Sequence, residues 1–308
     1  MKISELLTSG VTPFPSIEIV PPLKGVTKQG LVDSIRPFAE FAPKYINVTC
    51  HRDEIDYQPE PGGTFSRHLI RRRISETAVC AAIQSEFRIE VVPHIICGGA
   101  TADQINTQVQ DFLFLGMENV LALRGDSLLG EKRFTPTPGG YSYASELVAA
   151  VRKISSDAGK PMCVGVGAYP EKHFEAANLQ TDIINLKRKV DAGADYIITQ
   201  MFFDNQAFYR FVEMCRAAGI NVPIVPGLKP ISTARQVDTL PKAFNIDIPY
   251  ELTSELEAHK SDADACYGIG RDWCMEQCRD LLRHGVPAIH FYTMGRPDNM
   301  LEILRECF

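Results

Sequence analysis

Short apolar runs rich in β-branched and aromatic residues alternate with longer segments whose apolar positions recur every three to four residues, and the alternation continues along the whole chain. The runs that read as strands are SIEIV from Ser16, YINVT from Tyr45, RIEVVPH from Arg88 and NVLALRG from Asn119, then MCVGVGAY from Met162, DYIITQMFF from Asp195, VPIVPG from Val222 and AIHFYT from Ala288. Helical patterns lie between them. In DIINLKRKVDAG, Ile183, Leu186 and Val190 share a face and Gly193 fits a left-handed stop. ATADQINTQVQDFLFLGM opens at Thr101, a natural N-cap, and closes at Gly116.

Eight such repeats in 308 residues match a parallel (β/α)8 TIM barrel, expected as a single domain over residues 1–308. An open doubly wound sheet is the alternative. Against it, the glycine run from Gly165 fails as G-x-G-x-x-G at Pro170, and an open sheet would leave two exposed edges. DYQPEPGG and RFTPTPGG read as long loops after the second and fourth strands.

In a barrel the loops after the C-terminal strand ends build the active site. Side chains alternate along a strand, so parity predicts which face inward. Ile17, Ile19, Ile46 and Val48 are expected toward the helices, with Glu18, Asn47 and Thr49 inside. The third strand ends in His94, the fourth in Arg124 and Asp126, the fifth in Tyr169, the sixth in Gln200 and the eighth in Tyr292. Each alone reads more readily as a satisfied core group than as a functional one. Together they are costly to bury unless they bind something. The same placement removes a cell-adhesion reading of Arg124-Gly125-Asp126, which would sit at the tip of a buried strand.

Composition narrows the field. With 45% hydrophobic residues, 23% charged and a net charge of −6, the chain is expected to bury a large core and not to bind nucleic acid. The basic cluster Arg67, His68, Arg71, Arg72 and Arg73 reads as a solvated helix face or, alternatively, as a contact for phosphates of a small anionic cofactor. The nine cysteines are scattered singly; Cys274 and Cys278 read as the buried stripe of a helix more readily than as zinc ligands with His284, so no metal is expected. No signal-like segment opens the chain and no run approaches the roughly 20 apolar residues of a membrane span, which predicts a cytoplasmic protein with no membrane partner. His51-Arg52-Asp53 lacks the rest of a kinase signature, and neither a Walker loop nor a nucleophile elbow is present.

IEIVPP, VPHIICGGAT, NVLALRGD, YASELV, AYPEKHFEA, DIINLKRKVDAGADYIITQMFFD, VPIVPGLKPIS and HFYTMGR resemble the flavin-dependent methylenetetrahydrofolate reductases over essentially the whole chain. The resemblance implies the same barrel, a homo-oligomer, noncovalent FAD, and hydride taken from NADH or NADPH. It implies ping-pong reduction of 5,10-methylenetetrahydrofolate to 5-methyltetrahydrofolate, in methionine and one-carbon metabolism.

By motif, Glu18 matches the family's general acid, which protonates the departing N10. Asp126 matches an aspartate near flavin and pterin that stabilises the cationic iminium. An acid that stays protonated near neutral pH needs desolvation, expected from Ile17, Ile19 and neighbouring apolar groups. Thr49, His94, Arg124, Gly125, Asp126, Tyr143, Ala144, Tyr169, His173, Ala176, Asp182, Asn185, Arg188 and Lys189 match FAD contacts; Thr49, Asp126, Gln200, Tyr292 and Arg296 match substrate contacts. Cys50, Val20 and Ala234 depart from the family pattern, and His51 and Arg52 are further candidates to reach the FAD. No C-terminal regulatory domain of the eukaryotic kind is expected. Two rivals remain at this level: a metal-dependent lyase with Glu18, His94 and Asp126 as ligands, and a folate-binding subunit without turnover.

Overall fold

The computed structural model of the chain describes residues 1–10, 12–127, 133–293 and 298–308. Its strands are β1 (Phe14–Ile19), β2 (Tyr45–Val48), β3 (Glu54–Glu60), β4 (Thr64–Ile70), β5 (Glu90–Ile96), β6 (Asn119–Leu123), β7 (Cys163–Ala168), β8 (Tyr196–Met201), β9 (Ile224–Leu228) and β10 (Ala288–Tyr292). Eight of them close a parallel barrel in the order β1-β10-β9-β8-β7-β6-β5-β2, while β3 and β4 pair only with each other. The barrel strands are the eight expected ones, each starting within two residues of its predicted first position. The TIM barrel therefore holds and the open sheet does not.

The helices are α1 (Ile3–Thr8), α2 (Lys28–Ala39), α3 (Glu76–Phe87), α4 (Ala102–Phe114), α5 (Ala144–Asp157), α6 (Leu179–Asp191), α7 (Asn205–Ala217), α8 (Arg235–Phe244), α9 (Tyr250–Ala258), α10 (Ala263–Arg283) and α11 (Asp298–Cys307). Thr101 caps α4 in a reciprocal box with Gln104, and Gly116 and Gly193 follow α4 and α6 at positive φ, as their sequences predict. Cys274 and Cys278 are buried on α10, the stripe expected of them. Among the described residues no helix is long and apolar enough to cross a membrane.

Parity along the strands separates two cores. Ile17, Ile19, Ile46, Val48, Val120, Ala122, Ile197 and Ile289 face outward and pack with helix residues such as Ile35, Ile83, Val109, Val151 and Leu186. Inside the barrel, Phe14, Tyr45, Val92, Leu121, Tyr196, Ile198, Val225 and Ala288 form a second cluster with Ile3 and Leu7 of α1. Most of these inner residues stand near the beginnings of their strands, so α1 stoppers the N-terminal end. Asn119 holds it there: Ile3 N–H donates to Asn119 Oδ1 and Asn119 Nδ2 donates to Met1 O, each at 2.9 Å.

The segment after β2 corrects two expectations. DYQPEPGG is not a loop but part of an antiparallel hairpin, with Tyr57 opposite Arg67 and Pro59 opposite Phe65. Gly62 and Gly63 turn it, at φ +96° and +79°. Arg67 and His68 consequently lie on a strand, and the cluster makes no helix face. Arg71 and Arg72 pair with Asp53 and Glu54 at 3.0 and 2.9 Å, and Arg73 donates to Pro21 O. Three of the basic residues thus already have partners within the protein.

Candidate active site

Polar residues collect at the C-terminal end of the barrel interior. Strand register sets Ser16 beside His290, and Glu18 between Asn47 on β2 and Tyr292 on β10. His290 Nδ1 lies 2.9 Å from Ser16 Oγ and 3.5 Å from Asn47 Nδ2, which turns Nε2 of the ring toward Glu18. Glu18 Oε2 stands 3.8 Å from His290 Nε2 and 3.8 Å from His94 Nε2. At that separation neither contact is a hydrogen bond. Both Nε2 atoms, together with Asn47 Oδ1, are buried without a hydrogen-bond partner.

Burial acts most strongly on the Glu18 carboxyl and raises it, but the attraction of His290, His94 and His51 outweighs burial and leaves it below its usual value. Burial also takes His94 down to about 4, so near neutral pH that ring carries no charge and its pull on Glu18 is weakened. The desolvation expected from Ile17 and Ile19 has a different source: both side chains point to the helices, and what surrounds the carboxyl is imidazole and amide.

At the rim, Thr49 is buried and its Oγ1 lies 2.9 Å from His51 Nε2. His51 is exposed and feels the charges of Glu18 and Asp126. Tyr292 donates to Thr199 O at 2.7 Å, and Gln200 Oε1 accepts from Met201 N–H.

A second group of residues forms on the β6–β7–α6 side. After β6 the chain turns at Gly125, φ +82°, where an added Cβ would stand 3.2 Å from Ile96. Arg124 Nη1 meets Glu175 Oε2 at 2.5 Å and its guanidinium lies 4.8 Å from the centre of the Phe134 ring. Arg52 reaches the same ring and donates to Asp126 O at 3.1 Å. Asp182 accepts from His173 N–H at 2.9 Å, and the His173 ring stands edge-on to Tyr169. Lys189 donates to Gly167 O at 2.8 Å; burial takes its amine down to about 8 against the pull of Asp182. Burial and the nearby Asp126 and Asp182 push the Tyr169 hydroxyl up to about 12. Ala176 is buried and bonded to His173 O, and Asn185 Oδ1 accepts from Arg188 on the exposed face of α6.

The fold therefore brings Glu18, Thr49, His94 and Tyr292 together, and separately Arg124, Tyr169, His173, Ala176, Asp182 and Lys189, while Gln200 stands in the register shift at the end of β8 with its amide on Met201 N–H. Asp126 couples to both groups, through His51 and through Tyr169. Tyr143 and Ala144 stand at the start of α5, the first exposed and the second buried. Arg296 lies outside the described residues. Two participants escaped the sequence reading. His290 shares the inward parity of Tyr292, and Glu175 sits within AYPEKHFEA, so each had a visible signal. A groove of about 1280 Å³ opens elsewhere, with Glu171, Asp204, Trp273 and Asp280 on its walls and neither Glu18 nor Asp126. Among the described residues no three His, Cys, Asp or Glu side chains are grouped to hold a metal ion.

Comparison with known proteins adds the family. The family model described as methylenetetrahydrofolate reductase matches residues 2–307. The 5,10-methylenetetrahydrofolate reductase of Salmonella typhimurium is 33% identical over 92% of this chain and 86% of its own. The Arabidopsis thaliana protein named methylenetetrahydrofolate reductase (NADH) 1 is 31% identical over 98% of this chain, which spans 49% of that relative. Among solved structures, a Clostridium thermocellum protein described as binding two copies of 5-methyl-5,6,7,8-tetrahydrofolic acid superposes at TM-score 0.62 with 16% identity, over 99% of this chain and 98% of its own. That last likeness concerns the fold.

Proposed function

The chain belongs to the methylenetetrahydrofolate reductase family, and on that premise we propose that it reduces 5,10-methylenetetrahydrofolate to 5-methyltetrahydrofolate in the cytoplasm. The hydride comes from NADH or NADPH through noncovalent FAD in a ping-pong cycle, within methionine and one-carbon metabolism, and the protein works as a homo-oligomer. The observation that carries this reading is a single carboxyl, Glu18, set between two imidazoles inside one polar mouth.

The residues fit the cofactor. Arg124 and Lys189 lie close enough for the one charge to act on the other, and the buried, partnerless His94 Nε2 offers a further polar contact. FAD, when bound, supplies a two-electron carrier between the donor and the folate. Arg124, Arg188 and Lys189 hold its pyrophosphate oxygens, and Asp182 and Asn185 its ribose hydroxyls. Thr49, His94, Gly125, Tyr143, Ala144, Tyr169, His173 and Ala176 complete the contacts.

Glu18 delivers a proton to the folate N10, so that the ring opens to an iminium. The imidazoles hold the free carboxyl below its usual value, so Glu18 gains that proton in the complex, once bound folate has excluded water from the mouth. Asp126, whose charge acts on His51 at the rim, stabilises the iminium charge. Gln200 and Tyr292 hold pterin or nicotinamide, and Arg296 the folate tail.

Anaerobic mixing tests the proposal. NADH or NADPH should bleach the flavin band of the purified protein and methylenetetrahydrofolate should restore it. A colourless protein holding stoichiometric divalent metal would replace this reading with the lyase, and flavin that never bleaches would leave only a binder.

A further inference from the structure

One arginine crosses the rim from strand to strand. Arg52 leaves the segment between β2 and β3, and its stem lies over the glycine pair that follows β5. A Cβ added at Gly98 would stand 2.8 Å from Arg52 Cδ and 3.2 Å from Nε, and one at Gly99 would stand 3.6 Å from Nε. Gly99 has its own reason to be glycine, a left-handed turn at φ +82°. Gly98 has no positive φ; what its missing side chain makes room for is Arg52.

Beyond the glycines the guanidinium reaches the chain after β6. Arg52 Nη1 donates to Asp126 O at 3.1 Å, and the group lies 5.8 Å from the centre of the Phe134 ring, which Arg124 also approaches. The turn it meets, Arg124-Gly125-Asp126, is held at its other side by Gly98 N–H, which donates to Arg124 O at 3.0 Å. The carbonyls on either side of Gly125 are thus fixed, one by Gly98 and one by the side chain lying on it. The guanidinium takes the main-chain oxygen of Asp126 and not its carboxylate, so it locates that residue without forming an ion pair with it. Arg52 Nε is buried without a hydrogen-bond partner, a cost to stability that a purely structural arginine would avoid.

We propose that Arg52 is a positioning residue: it pins the turn after β6 so that the Asp126 carboxylate stands where the cationic iminium forms. This rests on the role given above to Asp126, and adds to it a residue from the β2–β3 segment. A carboxylate stabilises a developing cation only from a fixed place, and a displacement of about 1 Å costs up to about a hundredfold in rate.

The full chain with its flavin bound is compared with R52M, G98A, D126N and the R52M/D126N double variant, each checked for folding by circular dichroism. The rate at which methylenetetrahydrofolate reoxidises the reduced flavin should fall about ten- to a hundredfold in R52M. G98A keeps Arg52 but drives its stem away; it should fall likewise, and it decides alone if R52M does not fold. In the D126N background R52M should change nothing further, because the carboxylate it places is gone, whereas a merely structural arginine would multiply the two losses. Hydrogen exchange, read without folate, should quicken roughly tenfold at the Gly98 amide in R52M, the scale of a lost hydrogen bond to a charged group, and stay unchanged in D126N. Unaltered exchange in R52M, an unaltered rate beside a slow D126N, or multiplied losses in the double variant each overturn the proposal and leave the role of Asp126 standing. A D126N variant as fast as the native chain overturns both.

Discussion

Four residues along a strand separate two chemistries inside this barrel. The inward positions of β1 run Phe14, Ser16, Glu18; those of β2, Tyr45, Asn47 and then Thr49; those of β10, Ala288, His290, Tyr292; those of β8, Tyr196 and Ile198, before a register shift. The floor is hydrocarbon and aromatic ring, closed by Ile3 and Leu7. The mouth carries a carboxylate, imidazoles, amides and hydroxyls; the His94 and His290 Nε2 atoms and Asn47 Oδ1 are buried there without a partner, as are the Tyr45 and Tyr196 hydroxyls on the floor. Floor residues stabilise the fold by leaving water, whereas buried polar groups with unfilled hydrogen bonds cost stability and are tolerated where a ligand completes them. Stability and chemistry should therefore respond to different substitutions, even on one strand.

The largest expected effect is at the mouth. Glu18→Gln should slow folate reduction by about 10²- to 10⁴-fold, leave flavin reduction by the nicotinamide nearly unchanged, and keep the melting temperature. Stopped-flow traces of the two half-reactions check this; equal loss in both would remove the proton-donor role. On the floor, Leu121→Ala should cost about 2–5 kcal/mol of stability by emptying a packed site, read from the urea midpoint, with the ratio of the half-reactions preserved. A changed ratio there would break the division between floor and mouth.

His94 sharpens the contrast through pH. Its folded value, about 4, lies below the 6.5 of an ordinary histidine. Between those values the unfolded chain takes a proton that the folded one refuses, so stability falls as pH drops from 6.5 toward 4, by about 1–3 kcal/mol. His94→Gln should flatten that limb in a denaturation series. The smallest effect belongs to Lys189, whose amine loses its charge as pH rises through about 8. Cofactor affinity should weaken roughly tenfold above that point, the scale of one charge-assisted hydrogen bond. Lys189→Met should bind more weakly at every pH and show no such step in a fluorescence titration.

The barrel was legible because its outward positions alternate strictly; Ile17 with Ile19 and Ile46 with Val48 reveal each strand, and Glu18 and Asn47 appear as breaks in the inward row. The hairpin was not, since its alternation of Ile55, Tyr57 and Pro59 includes a residue that argues against a strand, and its other face is polar and solvated. The stopper α1 is too short to show a period. Within the site, strand-end parity brought out Glu18, His94 and Tyr292, yet the grouping of Glu18 with His94 and His290 joins β1, β5 and β10, which only closure of the barrel brings together. The pairing of Arg124 with Glu175 is likewise a tertiary event between two loops.

The helix that corks the bottom of the barrel has one further result. A barrel plugged at its foot by Ile3 and Leu7 offers, among the described residues, no passage along its axis from one end to the other. If hydride donor and acceptor are both received in this chamber, the first must back out before the second is seated, and taking turns becomes a matter of plumbing as much as of chemistry.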